Sequence, residues 1–151
     1  MIAINELSQK NALQIANNWK YSGDFAFYDM TADLEDYNEF IHEDMRNNVF
    51  EVLDENELIG YFSYTVEDDG VEIGLGLRPD ICGKGNGKTF VLLIEKYILS
   101  LVKTKTLKMN VASFNKRAIN CYQTCGYTIV KEFTQETNGG EYQFIEMVKQ
   151  V

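Results

Sequence analysis

The chain has 151 residues, of which 45% are hydrophobic and 25% are charged, and this balance fits one globular domain with a real core. Its net charge of −9 argues against nucleic acid and anionic membranes as partners and is compatible with cations such as amines, although on charge alone the common acidity of soluble proteins is the better explanation. No apolar run is long enough for a membrane span, and the first residues lack the basic segment of a secretory signal.

The first third of the chain predicts a short strand followed by two helices. Residues 2–5 can form a strand, and residues 7–18 carry apolar side chains at helical spacing. Residues 19–31 are predicted to be a loop rich in aromatic residues. Asp33 is then the predicted cap of a second helix over residues 34–48.

The middle of the chain changes to the period of two that is typical of strands. Breaks at the sequences DEN and EDDG predict three antiparallel strands, at about 48–53, 57–66 and 71–77. A glycine-rich loop and a long apolar helix over residues 88–103 follow them.

The last third predicts a strand at 106–112 and a short helix at 115–127 that ends near a glycine. Two further strands, at 128–135 and 142–150, are joined by the turn TNGG. Residues 1–151 are therefore predicted to form a single domain of the α/β (α+β) class. Its mixed sheet has six or seven strands, and about four helices flank it.

The loop CGKGNGKT, residues 82–89, indicates a phosphate-binding site. Its three glycines let the backbone come close to a ligand, two lysines add positive charge, and the following helix contributes its positive end. A P-loop requires glycine where this chain has Cys82, and a dinucleotide-binding loop requires a third glycine where it has Lys88. The loop therefore predicts a pyrophosphate held without metal.

Two sequence signatures carry a resemblance to a known family. Residues 82–87 resemble the acetyl-CoA loop of the GNAT N-acetyltransferase superfamily, Q/R-x-x-G-x-G/A, with Cys82 where the family usually has Gln or Arg. Residues 115–127, NKRAINCYQTCGY, are similar to the family pattern N-x-x-A-x-x-x-Y-x-x-x-G-[FY]. With the order of the predicted elements, the resemblance covers nearly the whole chain, and it implies a GNAT-like fold with a mostly antiparallel sheet.

The resemblance implies direct transfer of an acetyl group from acetyl-CoA to a primary amine in a ternary complex, without a metal. The amine can belong to a small molecule, a polyamine-like compound, or a peptide or protein. Tyr122 is the implied general acid for the departing thiolate, because a phenol is protonated at neutral pH. Asn115 is implied to bind the pantetheine arm, and a backbone N–H near Leu77 to bind the acetyl carbonyl. The residues expected to bind acetyl-CoA are Leu75, Gly76, Leu77, Cys82, Gly83, Lys84, Gly85, Asn86, Gly87, Lys88, Asn115, Ala118 and Tyr122.

Glu72 is the predicted catalytic base, acting directly or through a water. It shares one face of its strand with Gly74 and Gly76, and these two glycines can clear that face for a cofactor, a bulge or a packed helix. Related ribosomal-protein acetyltransferases carry a glutamate where this chain has Asn110, and an amide cannot act as a base. The residues predicted to bind the acceptor amine are Phe25, Phe27, Tyr28, Asp29 and Asn110.

Two interpretations of this site remain open. The first is an N-acetyltransferase whose partners are acetyl-CoA and an amine, and the second is a CoA-binding regulatory module without turnover. The three cysteines are odd in number and form no Cys-x-x-Cys pair, which indicates reduced thiols and a cytoplasmic location. A monomer or homodimer with no nucleic-acid or membrane partner is expected.

Overall fold

Seven strands and four α-helices make up the fold in a computed structural model that describes residues 1–151. The strands are β1 (Ile2–Glu6), β2 (Val49–Asp54), β3 (Glu57–Glu67), β4 (Gly70–Leu77), β5 (Thr106–Ala112), β6 (Thr128–Thr137) and β7 (Gly140–Gln150). The helices are α1 (Gln9–Asn18), α2 (Leu34–Ile41), α3 (Gly87–Leu101) and α4 (Lys116–Thr124). Short 3-10 helices cover Gly23–Tyr28, Met30–Ala32, Glu43–Met45 and Pro79–Ile81.

The strands form one sheet in the order β1-β2-β3-β4-β5-β7-β6. β1 pairs with β2, β2 with β3, and β5 with β7 in antiparallel fashion, whereas β4 and β5 are parallel. α3 supplies the crossover that a parallel pair requires. This mixed, mostly antiparallel sheet of seven strands with four α-helices confirms the predicted fold class.

The N-terminal third differs from the sequence prediction in three places. α1 begins at Gln9 rather than residue 7, because the Ser8 hydroxyl caps it by accepting from the Asn11 N–H. Residues 19–31 are not an open loop, since two 3-10 helices occupy most of them. α2 stops at Ile41 rather than reaching residue 48, because the Arg46 side chain donates a hydrogen bond to the Phe40 carbonyl at 2.7 Å.

Residues of the chain fall into two compact units. The first unit comprises Met1–Ser63, Leu75–Asp80 and Glu136–Gly140. Its core contains Leu7, Ala12, Ile15, Ala16, Trp19, Phe40 and Leu58, with the Tyr61 ring packed against them. α1 and α2 are amphipathic and turn their apolar faces to this core.

The second unit comprises Tyr64–Gly74, Ile81–Gln135 and Glu141–Val151. Its buried apolar side chains include Val71, Ile73, Phe90, Val91, Ile94, Ile98, Leu107, Met109 and Met147. The α3 members of this set recur at helical spacing, so one stripe of the helix is buried. None of the helices is both long and apolar enough to cross a membrane.

The hairpin between β6 and β7 is tighter than predicted. Asn138 and Gly139 both have positive φ, 51° and 76°, so a two-residue turn closes it and both strands extend further than their apolar pattern indicates.

Candidate active site

The glycine-rich loop of the second unit reaches α3 through two left-handed residues. Gly83 has a φ of 74° and Gly85 a φ of 80°, values that residues with a side chain rarely adopt. Asn86 is the N-cap of α3, but its side chain does not cap the helix and instead donates to the Ile81 carbonyl at 3.1 Å. The N–H groups of the first helical turn are therefore left without a side-chain partner, at the positive end of a 15-residue helix.

The surroundings of this loop fit an anion. A Cβ at Gly85 would meet no heavy atom within 4 Å, so the backbone there faces open space. A Cβ at Gly83 would lie 2.8 Å from an Arg117 guanidinium nitrogen, which adds a third cation to Lys84 and Lys88. Nothing acidic stands in the first turn of α3. A net positive loop with available N–H groups, in a chain of charge −9, has the donor set that a pyrophosphate requires.

Arg117 is a residue that sequence reasoning missed. It lies inside the second signature, two positions after Asn115, at a position that the family pattern leaves unspecified. A cation in the first turn of a helix that packs beside a phosphate-binding loop is the signal that points to it.

α4 presents the second signature. The Asn115 side chain caps this helix by accepting from the Ala118 N–H at 3.1 Å, so one of its polar atoms serves the helix. The centre of the Tyr122 ring lies 6.2 Å from the centre of the Tyr127 ring. On the face toward α3, Cys121 packs so closely that a Cβ at Gly87 would lie 2.9 Å from its sulfur. The implied roles of Asn115, Ala118 and Tyr122 toward acetyl-CoA stay predictions.

The parallel pairing of β4 with β5 ends at Glu72. Their parallel pairing consists of Val71 with Leu107 and Glu72 with Lys108, although both strands continue beyond these pairs. Glu72 Oε1 accepts a hydrogen bond from the Asn110 amide at 3.0 Å. Partial burial and, next, the charge of Glu67 raise the pKa of Glu72 above the usual glutamate value, while the Asn110 hydrogen bond opposes this shift. The predicted base and the amide five residues before Asn115 are thus partners.

The end of β4, Leu75–Leu77, belongs to the first unit and differs from one expectation. Gly76 does not leave its face of the strand open, because a Cβ there would overlap the Tyr61 ring of β3. The Tyr21 hydroxyl donates to the Leu77 carbonyl at 2.8 Å and so anchors the strand end. Gly76 therefore makes room for an aromatic side chain of the protein itself.

The predicted acceptor residues Phe25, Phe27, Tyr28 and Asp29 lie on and after the 3-10 helix Gly23–Tyr28, and all four are half-buried. The Phe27 and Tyr28 rings meet edge to face at 5.2 Å. Asp29 Oδ1 accepts from the Tyr21 N–H at 2.8 Å, so this carboxylate has a structural partner. The fifth predicted residue, Asn110, is in the second unit and contacts Glu72.

Asp33 joins three parts of the first unit. Its Oδ1 accepts from the Glu35 and Asp36 N–H groups and caps α2, as the sequence predicts. Its Oδ2 accepts from the Asn138 N–H at 3.0 Å and from the Thr137 hydroxyl, and the Asn138 amide donates to the Phe27 carbonyl. These hydrogen bonds, led by that from Asn138, lower the pKa of Asp33. The carboxylate therefore fixes the hairpin turn to the segment that carries the predicted acceptor residues.

The structure contains no group of three or more His, Cys, Asp or Glu side chains placed to hold a metal ion.

Comparison with known proteins adds a family match. A model of the acetyltransferase (GNAT) family matches residues 12–127. The acetyltransferase PseH of Campylobacter jejuni is 28% identical over 140 residues, which cover 87% of this chain and 88% of that protein. A chimera of the spermidine N-acetyltransferase SpeG from Vibrio cholerae and hSSAT has a TM-score of 0.72 at 21% identity, covering 99% of this chain and 95% of that chain. An acetyltransferase of the GNAT family from Streptococcus pneumoniae has a TM-score of 0.71 at 15% identity, covering 100% and 99%.

Proposed function

The chain belongs to the acetyltransferase (GNAT) family, and we propose that it transfers an acetyl group directly from acetyl-CoA to a primary amine held in the same complex. The family gives the reaction class: the protein is an N-acetyltransferase, and its cosubstrate and acceptor are acetyl-CoA and an amine. Direct transfer within a ternary complex, and the roles of the individual site residues, are what we propose.

The loop before α3 is the observation that carries the proposal. Open backbone at Gly85, an uncapped first turn of α3, and three cations at Lys84, Lys88 and Arg117 together favour a pyrophosphate. The N–H groups of the loop donate to phosphate oxygens, and Arg117 supplies a planar pair of donors. Acetyl-CoA carries such a pyrophosphate and supplies the activated acetyl group.

Glu72 takes the proton of the amine as its nitrogen bonds to the acetyl carbon. Partial burial and, next, the charge of Glu67 raise its pKa, which makes it a stronger base than an ordinary glutamate. Asn110 holds the carboxylate in place through the 3.0 Å hydrogen bond and leaves the proton-accepting role to Glu72. The missing glutamate at position 110 is thus compensated on the neighbouring strand.

Tyr122 donates its phenolic proton to the sulfur as the bond between carbon and sulfur breaks. α4 carries the hydroxyl on its last full turn, and the helix is fixed at its start by Asn115 and at its end by the turn through Gly126. Glu72 then releases its proton to solvent and the phenolate takes one up, so that proton transfers balance over one turnover.

The acceptor is proposed as a primary amine of a small molecule, a polyamine-like compound, or a peptide or protein. Half-buried aromatic rings at Phe25, Phe27 and Tyr28 suit an ammonium or an apolar body next to it. A cytoplasmic location is part of the proposal and rests on the three free cysteines.

Thermal unfolding with acetyl-CoA and with ATP–magnesium tests the proposed binding. A ligand present at 100 times its Kd stabilises the folded state by about 2.7 kcal/mol, which raises the melting temperature measurably. We expect a rise with acetyl-CoA and none with ATP–magnesium. A protein that responds only to ATP–magnesium, or to neither, contradicts the proposal.

A further inference from the structure

An ion pair between a buried glutamate of α3 and a partly buried lysine of β7 takes no part in the proposed chemistry. Glu95, on α3, is 5% exposed, and its Oε1 accepts from the Lys149 ammonium of β7 at 2.7 Å. Lysine and glutamate are almost never buried unless they are paired. The pair is therefore a specific feature of the second unit that needs a reason.

Tyr127 covers this pair and brings a third polar group to it. The Tyr127 side chain is 2% exposed, and the Lys149 ammonium lies 5.8 Å from the centre of its ring. Burial, followed by the negative charge of Glu95, raises the pKa of Tyr127 and keeps its hydroxyl protonated. The Tyr127 hydroxyl and Glu95 Oε2 are both buried and without a hydrogen-bond partner, so the phenol is the donor available to this carboxylate oxygen.

The same group of residues fixes the end of α4. The Tyr127 N–H donates to the Tyr122 carbonyl at 3.0 Å, and the Gly126 N–H donates to the Gln123 carbonyl, which closes the helix C-terminus. The Lys149 stem packs at Gly126, where a Cβ would lie 3.5 Å from its Cε. The centres of the Tyr127 and Tyr122 rings lie 6.2 Å apart. Movement of the ion pair would therefore move the last turn of α4, which carries Tyr122.

A link to the loop runs through Cys125. Its thiol is buried and lies 4.0 Å from the Lys88 carbonyl at the start of α3. Burial and, next, the negative charge of Glu95 raise the pKa of this thiol. The residues around Glu95 thus touch both the helix that carries Tyr122 and the first turn after the phosphate loop.

Stability alone is a poor reason for such a pair. Buried ion pairs are often neutral or destabilising relative to apolar side chains of similar volume, because removing both charges from water is costly. We propose that Glu95, Lys149 and Tyr127 are positioning residues for acetyl transfer, which hold the Tyr122 hydroxyl where it protonates the departing sulfur. This inference rests on the proposed function of Tyr122. Misplacing a reacting group by about 1 Å costs roughly 100-fold in rate, so a rigid support is worth its burial.

Replacement of both charges by apolar side chains of similar length tests the inference. The double variant Glu95→Met with Lys149→Met removes the ion pair without leaving one charge buried, and its melting temperature is expected at or above that of the wild type. The expected kcat is about 10-fold to 100-fold lower, while KM for acetyl-CoA stays within about twofold. Lys96→Met is the matched control, because Lys96 is the exposed neighbour of Glu95 on α3, and it is expected to keep full kcat.

The same substitutions in a Tyr122→Phe background separate positioning from general damage. If the ion pair acts through the Tyr122 hydroxyl, the double variant lowers kcat no further once that hydroxyl is gone. Equal losses in both backgrounds overturn the inference and leave the proposed function intact. Full kcat in Tyr122→Phe itself overturns the inference together with the proposed role of Tyr122 as the acid, and leaves acetyl transfer as such to be tested by turnover. Tyr127→Phe, which removes one hydroxyl, is tested in the same two backgrounds, so that the outcome does not depend on the double variant folding.

Discussion

The Asn110 side-chain amide donates a hydrogen bond to the Glu72 carboxylate at 3.0 Å, at the point where the parallel pairing of β4 with β5 ends. Burial raises the pKa of Glu72 and the Asn110 hydrogen bond lowers it, because the amide stabilises the charged carboxylate. Asn110 therefore sets how basic Glu72 is without accepting a proton itself.

The pH dependence of kcat tests this pair. A base must be ionised to work, so activity falls as pH drops through the pKa of Glu72, and that limb lies above the usual glutamate value. Asn110→Ala removes the stabilising donor and moves the limb to higher pH. Glu72→Gln removes the limb and lowers kcat by about 10²-fold to 10⁴-fold.

Gln143→Ala is the control for these variants, because it also removes a surface amide, one that donates to Thr134 on the β6–β7 hairpin. The acidic limb of its kcat–pH profile is expected at the same pH as in the wild type. A limb that stays in place in both Glu72→Gln and Asn110→Ala contradicts the assignment of Glu72 as the base.

Gly85→Asp tests the phosphate loop. The new carboxylate opposes the pyrophosphate and its side chain enters the open space in front of the backbone, so affinity for CoA falls by more than about tenfold. Gly139→Asp is a close match, since Gly139 has a similar φ of 76° and also faces open space. Calorimetric titration with CoA measures both, and equal affinities in the two folded variants place the cofactor elsewhere.

The loop illustrates what the sequence can predict of the site. Alternating glycines, two lysines and a following helix predict a phosphate-binding loop at Cys82–Lys88, because each feature has a local physical effect, and binding there stays a prediction. The second signature identifies α4 in the same way. Arg117 and the Glu95–Lys149 pair are absent from the sequence prediction, since their roles come from packing between segments distant in the chain.

Tyr122→Phe tests the proposed acid. It removes one hydroxyl and keeps the ring, so kcat falls while KM for acetyl-CoA changes little. A loss of up to about 10²-fold is expected, because water partly substitutes for the phenol. Steady-state kinetics on an amine that turns over measures it, and an unchanged kcat assigns thiolate protonation to solvent.

Asp33→Ala tests the link between α2 and the β6–β7 turn. Loss of the helix cap alone costs about 0.5–2 kcal/mol of the free energy of unfolding, and loss of the hairpin contacts adds to it. Because the folded-state pKa of Asp33 is lowered, its contribution is complete above the unfolded-state pKa. The contribution disappears as pH falls through the folded-state pKa.

Urea unfolding over a series of pH values measures this effect. The difference in unfolding free energy between wild type and Asp33→Ala is expected to be largest at neutral pH and to shrink on acidification. Asp24→Ala, an exposed acid in the first unit, is expected to show almost no difference. A pH-independent difference for Asp33→Ala contradicts a role for its charge.

Fold prediction succeeded where the apolar pattern decides the structure and failed where a specific side-chain contact decides it. The alternation of residues 48–77 identified three strands within two residues of their bounds. α2 was overextended because the pattern through Met45 is helical, whereas Arg46 ends the helix by binding Phe40. Gly76 was assigned to an open face of β4 because the sequence around it does not indicate that the Tyr61 ring packs there. The single domain over residues 1–151 stays a prediction.

Amine-dependent release of CoA tests the central claim most directly. Acetyl-CoA is incubated with the protein and a panel of primary amines, including polyamines, amino sugars and peptide amines, and acetylated product and free CoA are quantified by mass spectrometry. The account predicts that at least one amine gives equal amounts of both, and that the product is strongly reduced in Glu72→Gln. Tight binding of acetyl-CoA with no acetylated amine across the panel would contradict direct transfer and indicate a CoA-binding module.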